Sequence, residues 1–160
     1  MPSAEGLFLV LVRHGEAGRA DRDSERELTQ AGRDALRKLG AQLILNEFIP
    51  AAIRSSPLVR ALQTAEILQG ALGSDIAMDA TQDLGSGATP ESLLSLLRAE
   101  EAGSTVIWVG HMPDLGRFAS VLLGVPEDGV EFKAGAALGL DVDLSADPPT
   151  AVKKWAWPPA

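Results

Sequence analysis

The chain contains no cysteine, which excludes disulfides and thiolate metal sites and permits a reducing compartment. Histidine is almost as scarce: only His14 and His111 occur, far apart and without an HxxxH pair. A structural zinc site takes four protein ligands and a catalytic one usually three, so no metal is expected. No GxxxxGK[ST] or GxGxxG run is present, which argues against a nucleotide cradle. Long hydrophobic runs are missing too. The run Leu7–Val12 is far too short to span a bilayer. The opening Met1-Pro2-Ser3-Ala4-Glu5 has no basic region ahead of a long apolar stretch, so no signal peptide is expected. Positive charge is in deficit, with 14 Lys and Arg against 22 Asp and Glu, a net charge of −8. That balance argues against nucleic-acid and anionic-lipid partners. The sequence is expected to encode a soluble, cytoplasmic protein.

What remains is ordinary globular material, 46% hydrophobic and 22% charged. Its 160 residues suit one compact domain, 1–160. There is no internal repeat and no low-complexity tract.

Leu7–Val12 is continuously apolar, as befits a strand buried on both faces. It runs into Arg13-His14-Gly15-Glu16, and the charged stretch Arg19–Glu27 then reads as a solvated loop. Thr29 is placed to cap a helix whose apolar stripe is Leu36, Leu39 and Leu43. After Pro50, residues 51–55 form a short strand stopped by Ser56-Pro57. A second helix follows with Ala61, Ala65, Leu68 and Leu72 on one face. Ile76–Met78 reads as a brief edge strand and Gly85–Pro90 as a loop, with Pro90 in the first turn of another helix. Thr105–Val109 is the second clear strand, and a helix beyond Gly110-His111-Met112-Pro113 reaches about Leu123. Residues 136–143 and 151–157 read as two strands joined by the turn Ser145–Pro149.

Strands alternating with helices predict an α/β fold: a three-layer α/β/α sandwich, its central sheet mainly parallel with antiparallel edge strands from the tail. Ligands of such sheets bind beyond the carboxyl ends of the strands. Arg13-His14, Ser56 to Arg60, and His111 each follow a strand, so three remote segments converge on one edge.

A single histidine at a strand end is more often structural than catalytic. Here the chain's only two histidines both reach the same sheet edge, which favours chemistry. A neutral imidazole is a competent nucleophile toward phosphorus, and Gly15 lets a substrate approach His14 closely. Arg13 and Arg60 are candidate clamps, since guanidinium groups hold phosphoryl oxygens in bidentate fashion. Arg60 also sits near a helix N-terminus, which itself favours an anion. Arg19, Arg22, Arg37 and Arg117 read as surface residues. His111 is placed to donate to the oxygens of a transferring phosphoryl group. Ser56 has two open roles, capping or turning the chain before its helix, or donating to a phosphoryl oxygen.

Three stretches carry a resemblance: Leu11-Val12-Arg13-His14-Gly15-Glu16-Ala17, then Ser55-Ser56-Pro57-Leu58-Val59-Arg60-Ala61-Leu62-Gln63-Thr64-Ala65, then Gly110-His111-Met112-Pro113. In that order, each after a strand, they resemble the histidine phosphatase (phosphoglycerate mutase-like) superfamily. Leu28-Thr29-Gln30-Ala31-Gly32 looks like its stretch before the first helix. Within the superfamily the chain is most similar to the short SixA-type phosphohistidine phosphatases, over nearly its whole length. The resemblance implies a phosphohistidine intermediate on His14, a phosphate pocket of Arg13, Arg60 and His111, and no metal or organic cofactor. Larger members protonate the leaving oxygen with a glutamate from the loop between the second and third motifs. Asp83 is the acidic residue in the corresponding Thr81–Gly87 region.

An imidazole leaving group, with a pKa near ~6.5, departs with little help, so a phosphohistidine substrate fits a weak acid. Only 51 positions separate Arg60 from His111, leaving little room for a lid over a small sugar phosphate. The expected partner is a protein phosphorylated on histidine. The alternatives are a phosphatase of small phosphoesters and a non-catalytic phosphate-binding module.

Overall fold

The strand β1 (Gly6–Arg13) is the axis of the molecule. Alternate side chains of a strand face opposite ways. Leu7, Leu9 and Leu11 therefore join one buried cluster and Val10 and Val12 another. Both clusters need helices over them. The computed structural model, which describes Pro2 and residues 4–159, supplies two on each face.

On the first face lie α1 (Gln30–Leu45) and α2 (Val59–Leu72). Thr29 caps α1 as predicted, its hydroxyl accepting from Gly32 N at 3.0 Å. The buried stripe Leu36, Leu39 and Leu43 meets Ala61, Ala65 and Leu68 of α2 over Val10, Val12 and Ile53. Truncating a leucine as enclosed as Leu36 to alanine costs about 2–5 kcal/mol. On the second face lie α3 (Pro90–Arg98) and α4 (Asp114–Leu123). Pro90 occupies the first turn of α3, and Thr89 with Ser92 completes a reciprocal capping box. Leu93, Leu97, Leu115 and Phe118 cover Leu7, Leu9 and Leu11.

The remaining strands are β2 (Ala52–Ser55), β3 (Ala77–Ala80), β4 (Thr105–Gly110), β5 (Ala137–Asp143) and β6 (Thr150–Trp157). They form one six-stranded sheet in the order β3-β2-β4-β1-β5-β6. The pairs β2–β3, β2–β4 and β1–β4 are parallel. The tail strands β5 and β6 run antiparallel, as predicted. β3 starts one residue later than the predicted edge strand and runs to Ala80. Trp108 of β4 stacks on Phe118 of α4, ring centroids 5.7 Å apart, and its indole Nε1 donates to buried Glu100 at 2.8 Å. Arg54 of β2 donates to the same carboxylate from Nε at 2.8 Å and Nη2 at 2.6 Å. Lys153 and Lys154 lie on the outermost strand, where charge discourages pairing with another chain.

Candidate active site

The parallel strands β2, β4 and β1 lie side by side and end level. Arg13 is in register with Gly110, and Val109 with both Val12 and Ser55. The pairing continues one step past the sheet, where Ser56 N donates to Val109 O at 2.9 Å and His14 N to Gly110 O at 3.1 Å. Residues remote in sequence are thereby fixed at one height. His14 and His111 face each other with ring centroids 5.2 Å apart.

His14 is 8% exposed, and its Nδ1 lies 2.8 Å from Gly15 O. A carbonyl only accepts, so Nδ1 carries the proton and Nε2 keeps its lone pair. Arg60 Nε donates to that lone pair at 3.3 Å. Burial, reinforced by the nearby Arg60, Arg13 and Arg26 charges against the opposing Gly15 bond, pushes the His14 pKa down to about 4. Burial also leads for His111, with the charges of His14, Arg60 and Arg13 adding to it and Asp23 opposing, and its pKa too falls to about 4. Both imidazoles are neutral across the physiological range.

Arg13 donates from Nη1 to Phe132 O at 2.9 Å, while its Nε is buried without a partner among the described residues. A buried guanidinium donor without a partner, whose charge is felt at His14, is a group that an anion would complete. Arg60 is also buried, 5% exposed, on the first turn of α2. Ser56 does not cap that helix, whose N-cap is Leu58. Its hydroxyl instead accepts from Leu58 N at 3.2 Å, forming a turn, and shares a 2.7 Å hydrogen bond with His111 Nε2. The turn thus turns Ser56 toward the second histidine.

Asp83 falls in the 3-10 turn Gln82–Leu84 just after β3. Its exposed carboxylate accepts from the Thr81 hydroxyl at 3.3 Å. Among the described residues no hydrogen bond or ion pair links it to His14, Arg13, Arg60 or His111. Glu16 likewise turns away, accepting from the Thr29 hydroxyl at 2.9 Å.

Three residues reach the site without having been singled out from the sequence. Thr64, one helical turn beyond Arg60, accepts from Gly15 N at 3.0 Å and donates to Arg60 O at 2.8 Å, tying the turn after β1 to α2. Asp23 and Arg26 come from the loop read as merely solvated. Arg60 donates from Nη1 to Asp23 O at 2.8 Å and from Nη2 to the Asp23 carboxylate at 3.2 Å. Arg26 pairs with the same carboxylate at 3.2 Å. The fourfold spacing of Thr64 from Arg60 was a readable signal, whereas nothing in the loop sets Asp23 apart from Asp21. Among the described residues, no group of three or more His, Asp or Glu side chains is placed to hold a metal ion. No described helix is long and apolar enough to cross a membrane.

The model of the histidine phosphatase superfamily (branch 1) matches residues 9–85, which carry the first two motifs. An uncharacterised protein of Picosynechococcus sp. is 34% identical over 141 residues, covering 84% of either chain. The protein histidine phosphatase SixA, solved with tungstate, superposes with a TM-score of 0.84 at 24% identity, over 93% of this chain and 95% of that one. A putative phosphohistidine phosphatase SixA from Agrobacterium tumefaciens gives a TM-score of 0.75 at 26% identity, over 84% and 90%. The chain belongs to the histidine phosphatase superfamily and has its phosphoglycerate mutase-like fold, with SixA-type structures among its matches. Phosphatase chemistry is the class of reaction that this membership supports.

Proposed function

We propose that the protein is a metal-independent phosphatase that works through a phosphohistidine on His14 and acts on phosphohistidine in another protein. The observation that carries this reading is the state of His14. Its Nδ1 proton is tied to Gly15 O, so Nε2 presents a lone pair beside Arg60 Nε, and the next residue back, Arg13, keeps a buried Nε without a partner among the described residues. In the first step Nε2 attacks phosphorus, and the bond to the leaving imidazole nitrogen or ester oxygen breaks with its electron pair. Arg13 and Arg60 neutralise the phosphoryl oxygens as charge redistributes, and His111, facing His14 and bonded to Ser56, adds a donor. Water then attacks the phosphorus of phosphohistidine-14, releasing phosphate and restoring the imidazole. A nucleophile with a depressed pKa stays unprotonated throughout.

The substrate class follows from two features. The 50 residues between Arg60 and His111 are spent on α2, β3, α3 and β4, leaving no inserted domain to enclose a small molecule. Among the described residues the one carboxyl group hydrogen-bonded to the site, that of Asp23, is held ionised by Arg26 and Arg60, which suits an imidazole leaving group better than an alkoxide. The test is rapid quenching with a labelled phosphohistidine protein and, separately, a labelled aryl phosphate. Acid-labile label on wild type and none on His14→Ala is the expected outcome. Label retained by His14→Ala would overturn the nucleophile. A panel rate favouring small alkyl phosphates over phosphohistidine protein would overturn the substrate class in favour of small phosphoesters.

A further inference from the structure

Each of the three nitrogens of Arg60 already has a partner before any substrate arrives. Its Nε faces His14 Nε2, and its two terminal nitrogens are taken by Asp23, one by the backbone carbonyl and one by the carboxylate. The outer edge of a guanidinium is the edge that grips a phosphoryl group bidentately. A carboxylate therefore occupies one terminal nitrogen on the edge that a bidentate phosphoryl contact would use.

Its placement is built by the chain around it. A bridge pairs Ala17 with Leu28, and Gly18 N donates to Glu27 O at 2.8 Å, closing the foot of the loop. Arg26 straps the loop by donating to Gly18 O at 2.8 Å and Ala17 O at 3.3 Å, while its Nη1 holds Asp23. Gln63 of α2 accepts from Leu28 N at 2.8 Å and donates to Glu27 at 3.0 Å, fastening the loop to the helix that carries Arg60. Asp23 is 66% exposed on its side chain, so water can replace its contact with Arg60 when it is displaced. Hydrogen bonding from Arg26, then the charge of Arg60, holds its carboxyl below the usual carboxylate range. It is an anion at working pH and has no proton to give to a leaving group.

We infer that Asp23 is a resident counter-anion that sets how tightly the site holds phosphate, occupying the outer edge of Arg60 when the site is empty and repelling phosphate when it is full. The inference rests on the phosphatase reading above and adds a step to it. An unopposed cluster of Arg13, Arg26 and Arg60 would retain the inorganic phosphate released at the end of each turnover. Asp23 competes with phosphoryl oxygens for one clamp, which loosens the hold on released phosphate and hastens its departure.

The test is calorimetric binding of inorganic phosphate to the full chain, at low and high ionic strength, for wild type, Asp23→Asn and Asp23→Glu. Unit charges about 6 Å apart at an effective dielectric constant of about 60 change an affinity by about fivefold. Asp23→Asn, which keeps an acceptor for Arg60 but loses the charge, is expected to bind phosphate about fivefold more tightly at low salt. The gain should shrink as salt screens it, and Asp23→Glu should return toward wild type. Unchanged or weaker binding in Asp23→Asn would overturn the inference, reducing Asp23 to a strap for Arg60 and leaving the phosphatase reading intact. Absence of phosphate binding by wild type, together with absence of labelled phosphoenzyme, would overturn both.

Discussion

The depressed pKa of His14 has a consequence that a pH profile measures directly. An ordinary imidazole titrates near 6.5, whereas this one titrates near 4. At pH 5 a ring with a pKa of 4 is about 90% neutral, and one at 6.5 only about 3% neutral. The buried site should therefore retain about thirtyfold more competent nucleophile at pH 5 than a solvated histidine would. The quantity to measure is kcat/KM, which reports ionisations of the free enzyme, from pH 4 to 8 with correction for the ionisation of the substrate itself. The expected profile is flat on its acid side down to about pH 5. A tenfold fall per unit beginning at pH 6.5 would refute the argument that burial and the arginines keep His14 neutral. Stability supplies a second reading. Between pH 6.5 and 4 the unfolded chain binds protons that folded His14 and His111 refuse, so stability falls as pH drops through that window and is unaffected by them above it.

Three further outcomes follow from the geometry. Asp83→Asn should leave hydrolysis of phosphohistidine nearly unchanged, and if Asp83 serves as acid for poor leaving groups it should slow an alkyl phosphate by about 10²–10⁴-fold; equal losses on both substrates would assign it a structural role. Thr64→Val removes the acceptor of the buried Gly15 N–H and should cost about 1–3 kcal/mol in urea unfolding together with a drop in kcat, while Thr64→Ser should restore both. Glu100→Gln strips the charge from a side chain 3% exposed that pairs with Arg54 and Trp108, and should cost about 2–4 kcal/mol, somewhat below a fully buried pair because Arg54 is 27% exposed; an unfolding midpoint shifted by less than about 0.5 kcal/mol would refute that network's importance.

The sheet was legible because its strongest signals are local. Leu7–Val12 and Thr105–Val109 could hardly be anything but buried strands, and Thr29 and Pro90 announce their helices. Arg13, His14, Ser56, Arg60 and His111 were legible for a related reason: Arg13 ends β1, His14, Ser56 and His111 directly follow β1, β2 and β4, and Arg60 opens the helix after β2, so parallel strands bring all five to one edge. Asp23 and Arg26 were hidden because their position depends on a closed loop, made by a single bridge between Ala17 and Leu28 and by guanidinium bonds to backbone carbonyls. No periodicity records such a closure. The Glu100–Arg54–Trp108 cluster was hidden likewise, since its members are brought together only by strand register and by the turn after α3.

The strand order carries a consequence for how the protein comes into being. β1 and β2, with Arg13, His14 and Arg60 at or just beyond their ends, emerge early from the ribosome, yet they are not neighbours: β4 lies between them. Until Thr105–Gly110 has been synthesised and has slotted into that gap, His14 and Arg60 have no common wall to hold them level. The same insertion delivers His111. On the proposed reading, a chain cut short of this six-residue strand should have no hydrolytic activity.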